Sequence, residues 1–145
     1  MKIYLDMCSI KRPFDDQSQN RIWIETQSVI RILDAFHTAE IKVCNSEALV
    51  FENSLNPNPI RKKRVASLLS RFGTPFKGSL SIYQRAEIIH RKGIDDIDAL
   101  HLAFAEKMNA VYFITCDDHI LSLAGRCGLL VKVTDPAVFI KETGL

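Results

Sequence analysis

The sequence predicts an α/β fold, a parallel sheet covered by helices, and three observations carry that expectation. Short apolar runs alternate along the chain with longer segments of helical period, the order of elements expected when crossover helices join parallel strands. The runs are unbroken rather than alternating, which suits strands buried on both faces. The composition, 47% hydrophobic and 25% charged over 145 residues, supplies one ordinary core, so residues 1–145 are expected to form a single domain.

Lys2–Leu5 is the first run and ends at Asp6. A loop over Lys11–Asp16 precedes a helix from about Asn20 to Thr38, whose buried stripe is predicted as Ile22, Val29, Leu33 and Phe36. Ile41–Cys44 is the second run. Ser46–Ser54 reads as a short helix stopped by Asn56-Pro57-Asn58-Pro59, and Ile60–Phe72 as a longer one carrying Arg61-Lys62-Lys63-Arg64. Turn signals cluster over Gly73–Gly78, Leu80–Ile82 is ambiguous, and Tyr83–Arg91 is helical. Gly93 breaks the chain before a helix that Asp95 or Asp96 can cap, with Ile97, Leu100, Phe104 and Met108 on its buried face. Ala110–Thr115 is the strongest strand, Leu129–Val133 the last, and Asp118–Arg126 and Pro136–Glu142 are closing helices.

A net charge of +2 and a pI near 8.4 permit a polyanionic partner without requiring one. No apolar run approaches the ~18–20 residues that cross a bilayer. Asp6 stands where a signal peptide needs its apolar core, so the chain is expected in the cytoplasm. Cys8, Cys44, Cys116 and Cys127 lack metal-clip spacing and are expected as free, mostly buried thiols.

Two carboxylates follow strands: Asp6 the first and Asp117 the strongest. Parallel sheets bind ligands in the crevice beyond their carboxyl ends, so neighbouring strands bring this pair together there. Asp98 sits in the first turn of the helix leading into the strongest strand, and Glu52 lies on the helix after the second. Carboxylates crowded in one crevice repel unless a cation neutralises them. Mg²⁺ or Mn²⁺, which takes oxygen ligands, is the natural neutraliser and suits phosphodiester hydrolysis. Taken singly, Asp6 also fits a turn residue and Asp98 a helix cap.

Ile97-Asp98-Ala99-Leu100-His101-Leu102-Ala103, followed by Phe113-Ile114-Thr115-Cys116-Asp117, resembles the second half of a PIN domain, the metal-dependent ribonuclease fold of many bacterial toxins. Ile3-Tyr4-Leu5-Asp6 resembles its first strand and leading aspartate, and Ser46–Glu52 its early helix ending in an active-site glutamate. Glu47 competes for that position, and the spacing from the preceding strand favours Glu52. The resemblance spans nearly the whole chain, least over Pro13–Gln19 and Asn53–His90. It implies a three-layer α/β/α sandwich and a Mg²⁺- or Mn²⁺-dependent endoribonuclease, with Asp6, Asp98 and Asp117 as metal ligands and Glu52 beside them. It also implies an RNA substrate, an antitoxin partner and a homodimer. Many members follow the first aspartate with a hydroxyl or amide pair such as Thr-Asn; here Met7 and Cys8 stand there, with Ser9 next.

Arg12 and the Arg61, Lys62, Lys63, Arg64 run are candidate phosphate contacts, although the run equally fits a solvated helix face. His101, three residues after Asp98, fits a core or supporting histidine better than a ligand. His37, His90 and His119 read as structural, and Trp23 and Phe36 as core or oligomer contacts. Two other functions fit the same residues: a catalytically silent PIN-like module that binds RNA or protein, and a phosphoacceptor domain using Lys132 on the last strand.

Overall fold

A computed structural model describes residues 1–145. At its centre lie four parallel strands, β1 (Lys2–Leu5), β2 (Lys42–Val43), β3 (Tyr112–Ile114) and β4 (Lys132–Thr134), in the spatial order β2-β1-β3-β4. Ile3 pairs with Val43 on one side and Tyr112 on the other, and Phe113 pairs with Val133. Eight α-helices surround the sheet: α1 (Met7–Lys11), α2 (Asn20–His37), α3 (Glu47–Ser54), α4 (Pro59–Phe72), α5 (Leu80–Arg91), α6 (Asp96–Lys107), α7 (Asp118–Leu123) and α8 (Pro136–Thr143). None is long and apolar enough to cross a membrane.

The α/β class, parallel sheet and layers are those expected. Tyr4 and Phe113, register neighbours, share one face and stack at 5.4 Å; α3 and α6 cover them, backed by α4 and α5. Tyr112, one residue along, turns to the other face and meets Phe139 of α8 edge-on at 4.9 Å, and α8 packs on α2. The core is one contiguous cluster of 29 buried residues. Phe113 is fully buried at its centre. Phe113→Ala is expected to lower unfolding free energy by roughly 3–5 kcal/mol, measured by urea denaturation.

Helix starts follow from local chemistry. Ser46, Asn58, Ser79 and Asp135 each accept a backbone N–H from the first turn they precede, satisfying donors that have no partner within the helix. The Ser79 cap assigns the ambiguous Leu80–Ile82 to α5. Asp95 occupies the cap position of α6 without donating or accepting a side-chain bond there.

Several expectations need correction. The loop expected over Lys11–Asp16 holds the end of α1 (Met7–Lys11) and a 3₁₀ turn at Arg12–Phe14; segments of five and three residues are too short to show a period. The buried line of α2 is Val29, Ile32 and Ala35 with polar Glu25, Thr26 and Ser28, while Ile22, Leu33 and Phe36 are half-buried. Thr26 and Glu25 lie under the 3₁₀ turn, where Thr26 donates to the Arg12 carbonyl and Glu25 pairs with the Arg12 side chain, while Ser28 donates to the Ile24 carbonyl of its own helix. Trp23 is 53% exposed, so it is not core. The last strand begins at Lys132, leaving Leu130 exposed. Helix α6 is buried nearly all round, with Ala99 and His101 through Ala105 enclosed, because it lies between the sheet and α5.

Candidate metal centre

Strand β1 connects onward to β2 on its left, whereas β3 connects to β4 on its right. The two adjacent strands therefore flank the point where the sheet reverses its winding, the place where such sheets open a crevice. Asp6 follows β1 directly, and Asp117 follows β3 after Thr115 and Cys116. The backbone locks them together: Asp6 N–H donates to the Ile114 carbonyl at 2.9 Å.

The Asp6 carboxylate is buried and accepts three hydrogen bonds, from Met7 N–H at 2.7 Å, the Thr115 hydroxyl at 2.9 Å and the Cys8 thiol at 3.3 Å. Thr115 in turn accepts from Asp117 N–H at 3.1 Å. Asp117 caps α7 by accepting from His119 N–H at 2.8 Å. Asp98 and His101, three apart on α6, present one helix face to the crevice, and Glu52 arrives from α3. His101 Nε2 lies 2.8 Å from Glu52 Oε1. One ligand atom from each of Asp6, Glu52 and His101 falls within 4.8 Å of the others.

The electrostatics agree with this crowding. Burial, then the charges of Asp6 and Asp117, push the Asp98 carboxyl up to about 7. Asp6 is also raised, by burial first and by Glu52 in part, against the lowering influence of His101 and Thr115. Burial alone pulls the His101 imidazole down, but the Glu52 hydrogen bond and the charges of Asp6, Glu52 and Asp98 outweigh it, and the net shift is upward. The structure thus brings the four carboxylates Asp6, Glu52, Asp98 and Asp117 into one electrostatic group. Their donors are oxygens, the set that hard divalent cations take.

No protein-family model matches the sequence, and no curated protein matches it. Among solved structures, a chain in the crystal structure of FitAcB from Neisseria gonorrhoeae aligns with a TM-score of 0.57, covering 92% of this chain and 97% of that one at 20% identity. The likeness is one of fold. It agrees with the three-layer α/β architecture expected from the sequence.

Within this fold the remaining candidates separate. Glu47 accepts from Gly78 N–H at 2.8 Å, outside the acidic group, which contains Glu52. Arg12 is tied to Asp15 at 3.1 Å and to buried Glu25 at 3.2 Å, and Arg61 donates to the Phe14 carbonyl at 2.8 Å. Lys62, Lys63 and Arg64 are exposed on α4, near the loop that leaves Asp6 because Arg61 holds α4 there. Lys132 pairs with Glu142 at 2.8 Å and opens β4 at the sheet end opposite Asp6, which removes the lysine a phosphoacceptor site needs. His90 and His119 bond the carbonyls of Ile94 and Gly93, and His37 meets Arg71. All four cysteines are free thiols. Nothing in local pattern points to Thr115 as a partner of Asp6, or to Tyr4 and Ser46 as partners of His101, since each acts through a contact distant along the chain.

Proposed function

We propose that the chain is a Mg²⁺- or Mn²⁺-dependent endoribonuclease that hydrolyses RNA phosphodiester bonds. In this reading it is the toxin or toxin-like member of a toxin–antitoxin pair and acts in the cytoplasm as a homodimer. The observation that carries the proposal is the convergence of four carboxylates at the winding reversal, with Asp98 pushed up to about 7. Such a group is costly unless a cation relieves it. The PIN resemblance and the fold likeness support the nuclease class, and the resemblance alone supports the antitoxin and the dimer.

Asp6, Asp98 and Asp117 would hold the ion, which supplies positive charge against the phosphate and lowers the pKa of water. Glu52 faces the same space and would join the ion as a fourth carboxylate ligand or orient the attacking water. Thr115 and Met7 N–H fix the Asp6 carboxylate, so that its oxygens need not reorganise during reaction. Lys62, Lys63 and Arg64 contact the RNA backbone, with Arg12 and Arg61 shaping the intervening loop. A 510 Å³ groove between α3 and α4, near exposed Val50, and exposed Trp23 and Ile24 on α2 offer apolar surface for protein partners.

Mn²⁺ is expected to switch on cleavage of mixed single-stranded RNA, and EDTA to stop it. Neutralising Lys62, Lys63 and Arg64 is expected to weaken RNA binding while sparing turnover at saturation. The slope of log K against log salt should flatten by about 0.7 per lost phosphate contact, about 2 in all. One observation favours the silent binding module: Cys8 brings a thiol to Asp6 where many PIN proteins carry a hydroxyl or amide. Metal-loaded protein that binds RNA and leaves it intact decides for that module.

A further inference from the structure

We propose that a buried chain of hydrogen bonds, Ser46–Tyr4–His101, fixes the Glu52 carboxylate and withholds the His101 imidazole from metal, so that the centre offers an ion oxygen ligands only. The proposal rests on the metal-dependent reading above and adds a positioning residue and a basis for metal choice.

The imidazole is fully buried and both its nitrogens are engaged: Nδ1 lies 2.6 Å from the Tyr4 hydroxyl and Nε2 lies 2.8 Å from Glu52 Oε1. A carboxylate oxygen only accepts, so Nε2 carries the hydrogen and has no lone pair to give a metal. Nδ1 is left to the phenol. The Tyr4 hydroxyl also meets Ser46 Oγ at 2.7 Å, and Ser46 Oγ accepts Leu49 N–H at 3.1 Å as the cap of α3. The chain therefore begins and ends on one helix, since Ser46 starts α3 and Glu52 sits near its end. Tyr4 from β1 and His101 from α6 bridge the two.

Packing holds the bridge. Tyr4 stacks on Phe113 at 5.4 Å and meets the His101 ring edge-on at 5.7 Å. Tyr4, Ser46 and His101 are all fully buried, so a broken bond strands a polar group with no water to replace its partner. Turning the imidazole toward an ion would break both of its bonds at once. Imidazole in a coordination shell favours Zn²⁺, Ni²⁺ and Co²⁺, whereas carboxylate and water favour Mg²⁺ and Mn²⁺. Locking His101 out of the shell biases this site toward the second group.

The test is Mn²⁺ binding to the full chain, read by calorimetry and by electron spin-echo modulation, which detects a directly bonded ¹⁴N. Wild type is expected to bind Mn²⁺ with no ligand ¹⁴N signal. His101→Leu, which removes the donor to Glu52, should weaken Mn²⁺ by about 10–100-fold, as loss of a hydrogen bond behind a ligand generally does. His101→Gln keeps an N–H within reach of Glu52 and should restore most of that affinity, which a purely space-filling role does not predict. Tyr4→Phe deletes one hydroxyl, keeps the ring stack, and should weaken Mn²⁺ while narrowing the preference over Zn²⁺; it carries the test if His101→Leu does not fold. A ¹⁴N signal in wild type that His101→Gln abolishes makes His101 a ligand and overturns the proposal, as does unchanged affinity in both His101→Gln and Tyr4→Phe. Folded wild type that takes up no Mn²⁺ overturns the metal reading itself, and this inference with it.

Discussion

Asp117→Asn is expected to abolish Mn²⁺-dependent RNA cleavage, with a loss on the order of 10²–10³-fold or more, while leaving the fold intact. The rate loss follows from removing one charge of the group proposed to hold the cation, whose interaction with developing charge on phosphate is the dominant stabilisation in a metal-dependent site. The intact fold follows from what else Asp117 does. It caps α7 by accepting backbone N–H groups through one oxygen, and asparagine caps about as well as aspartate. Asp6→Asn is a less clean variant, because both Asp6 oxygens accept hydrogen bonds and an amide nitrogen cannot. Single-turnover cleavage of a labelled RNA, beside thermal melts of both proteins, checks this. Cleavage that persists in Asp117→Asn places the chemistry elsewhere.

The second large effect is on stability. Asp98 is raised from 3.8 to about 7 by burial and by the charges of Asp6 and Asp117. A carboxyl that holds its proton more tightly folded than unfolded stabilises the fold most below about pH 4. That contribution fades as pH rises through about 7. The upward shifts of Asp6 and His101 act in the same direction. Metal-free protein should therefore melt at progressively lower temperature between pH 4 and 7. Mn²⁺ should reverse the loss: at ~100 times its Kd it adds about 2.7 kcal/mol, roughly 5–10 °C at ~2–4 °C per kcal/mol for a domain near this size. Asp98→Asn should be more stable than wild type at pH 7.5 without metal, and nearly indifferent to Mn²⁺. A metal-free melting temperature that rises between pH 4 and 7 contradicts the crowded site.

Much of this architecture is written in local pattern. Unbroken apolar runs marked all four strands, and Ser46 opens the short helix expected after the second; the Ser79 cap, which extends α5 back over Leu80–Ile82, does not stand out in that pattern. What local pattern cannot carry is visible in particular residues. Helix α1 begins on a bond from Met7 N–H to Asp6, so the same aspartate reads equally well as ligand or cap. Along α2 the apolar period pointed toward Leu33 and Phe36, yet tertiary contact with the 3₁₀ turn drew polar Thr26 and Glu25 inward. Leu129 and Leu130 have strand composition but stand before the ladder begins. At the candidate site, Asp6 and Asp117 stand out in the sequence because each follows a strand, whereas the contact that engages His101 comes from Tyr4, 97 positions away. Arg12 looked like a free cation beside Asp6; buried Glu25 claims it.

The strand order has a consequence for how this protein comes into being. β1 precedes the other three strands in the chain, yet it lies inside the sheet, and its β3 edge stays bare until Tyr112–Ile114 has been synthesised. Until then Asp6 has neither the Ile114 carbonyl behind its backbone nor the Thr115 hydroxyl, 109 positions downstream, on its carboxylate. Asp117 follows only after that. Closing so long a loop is the slow part of assembling such a sheet, and the crevice depends on it. Under the proposed ribonuclease function this order is protective: a nascent chain that has not yet reached Thr115 and Asp117 cannot assemble the crevice that would cut the RNA encoding it.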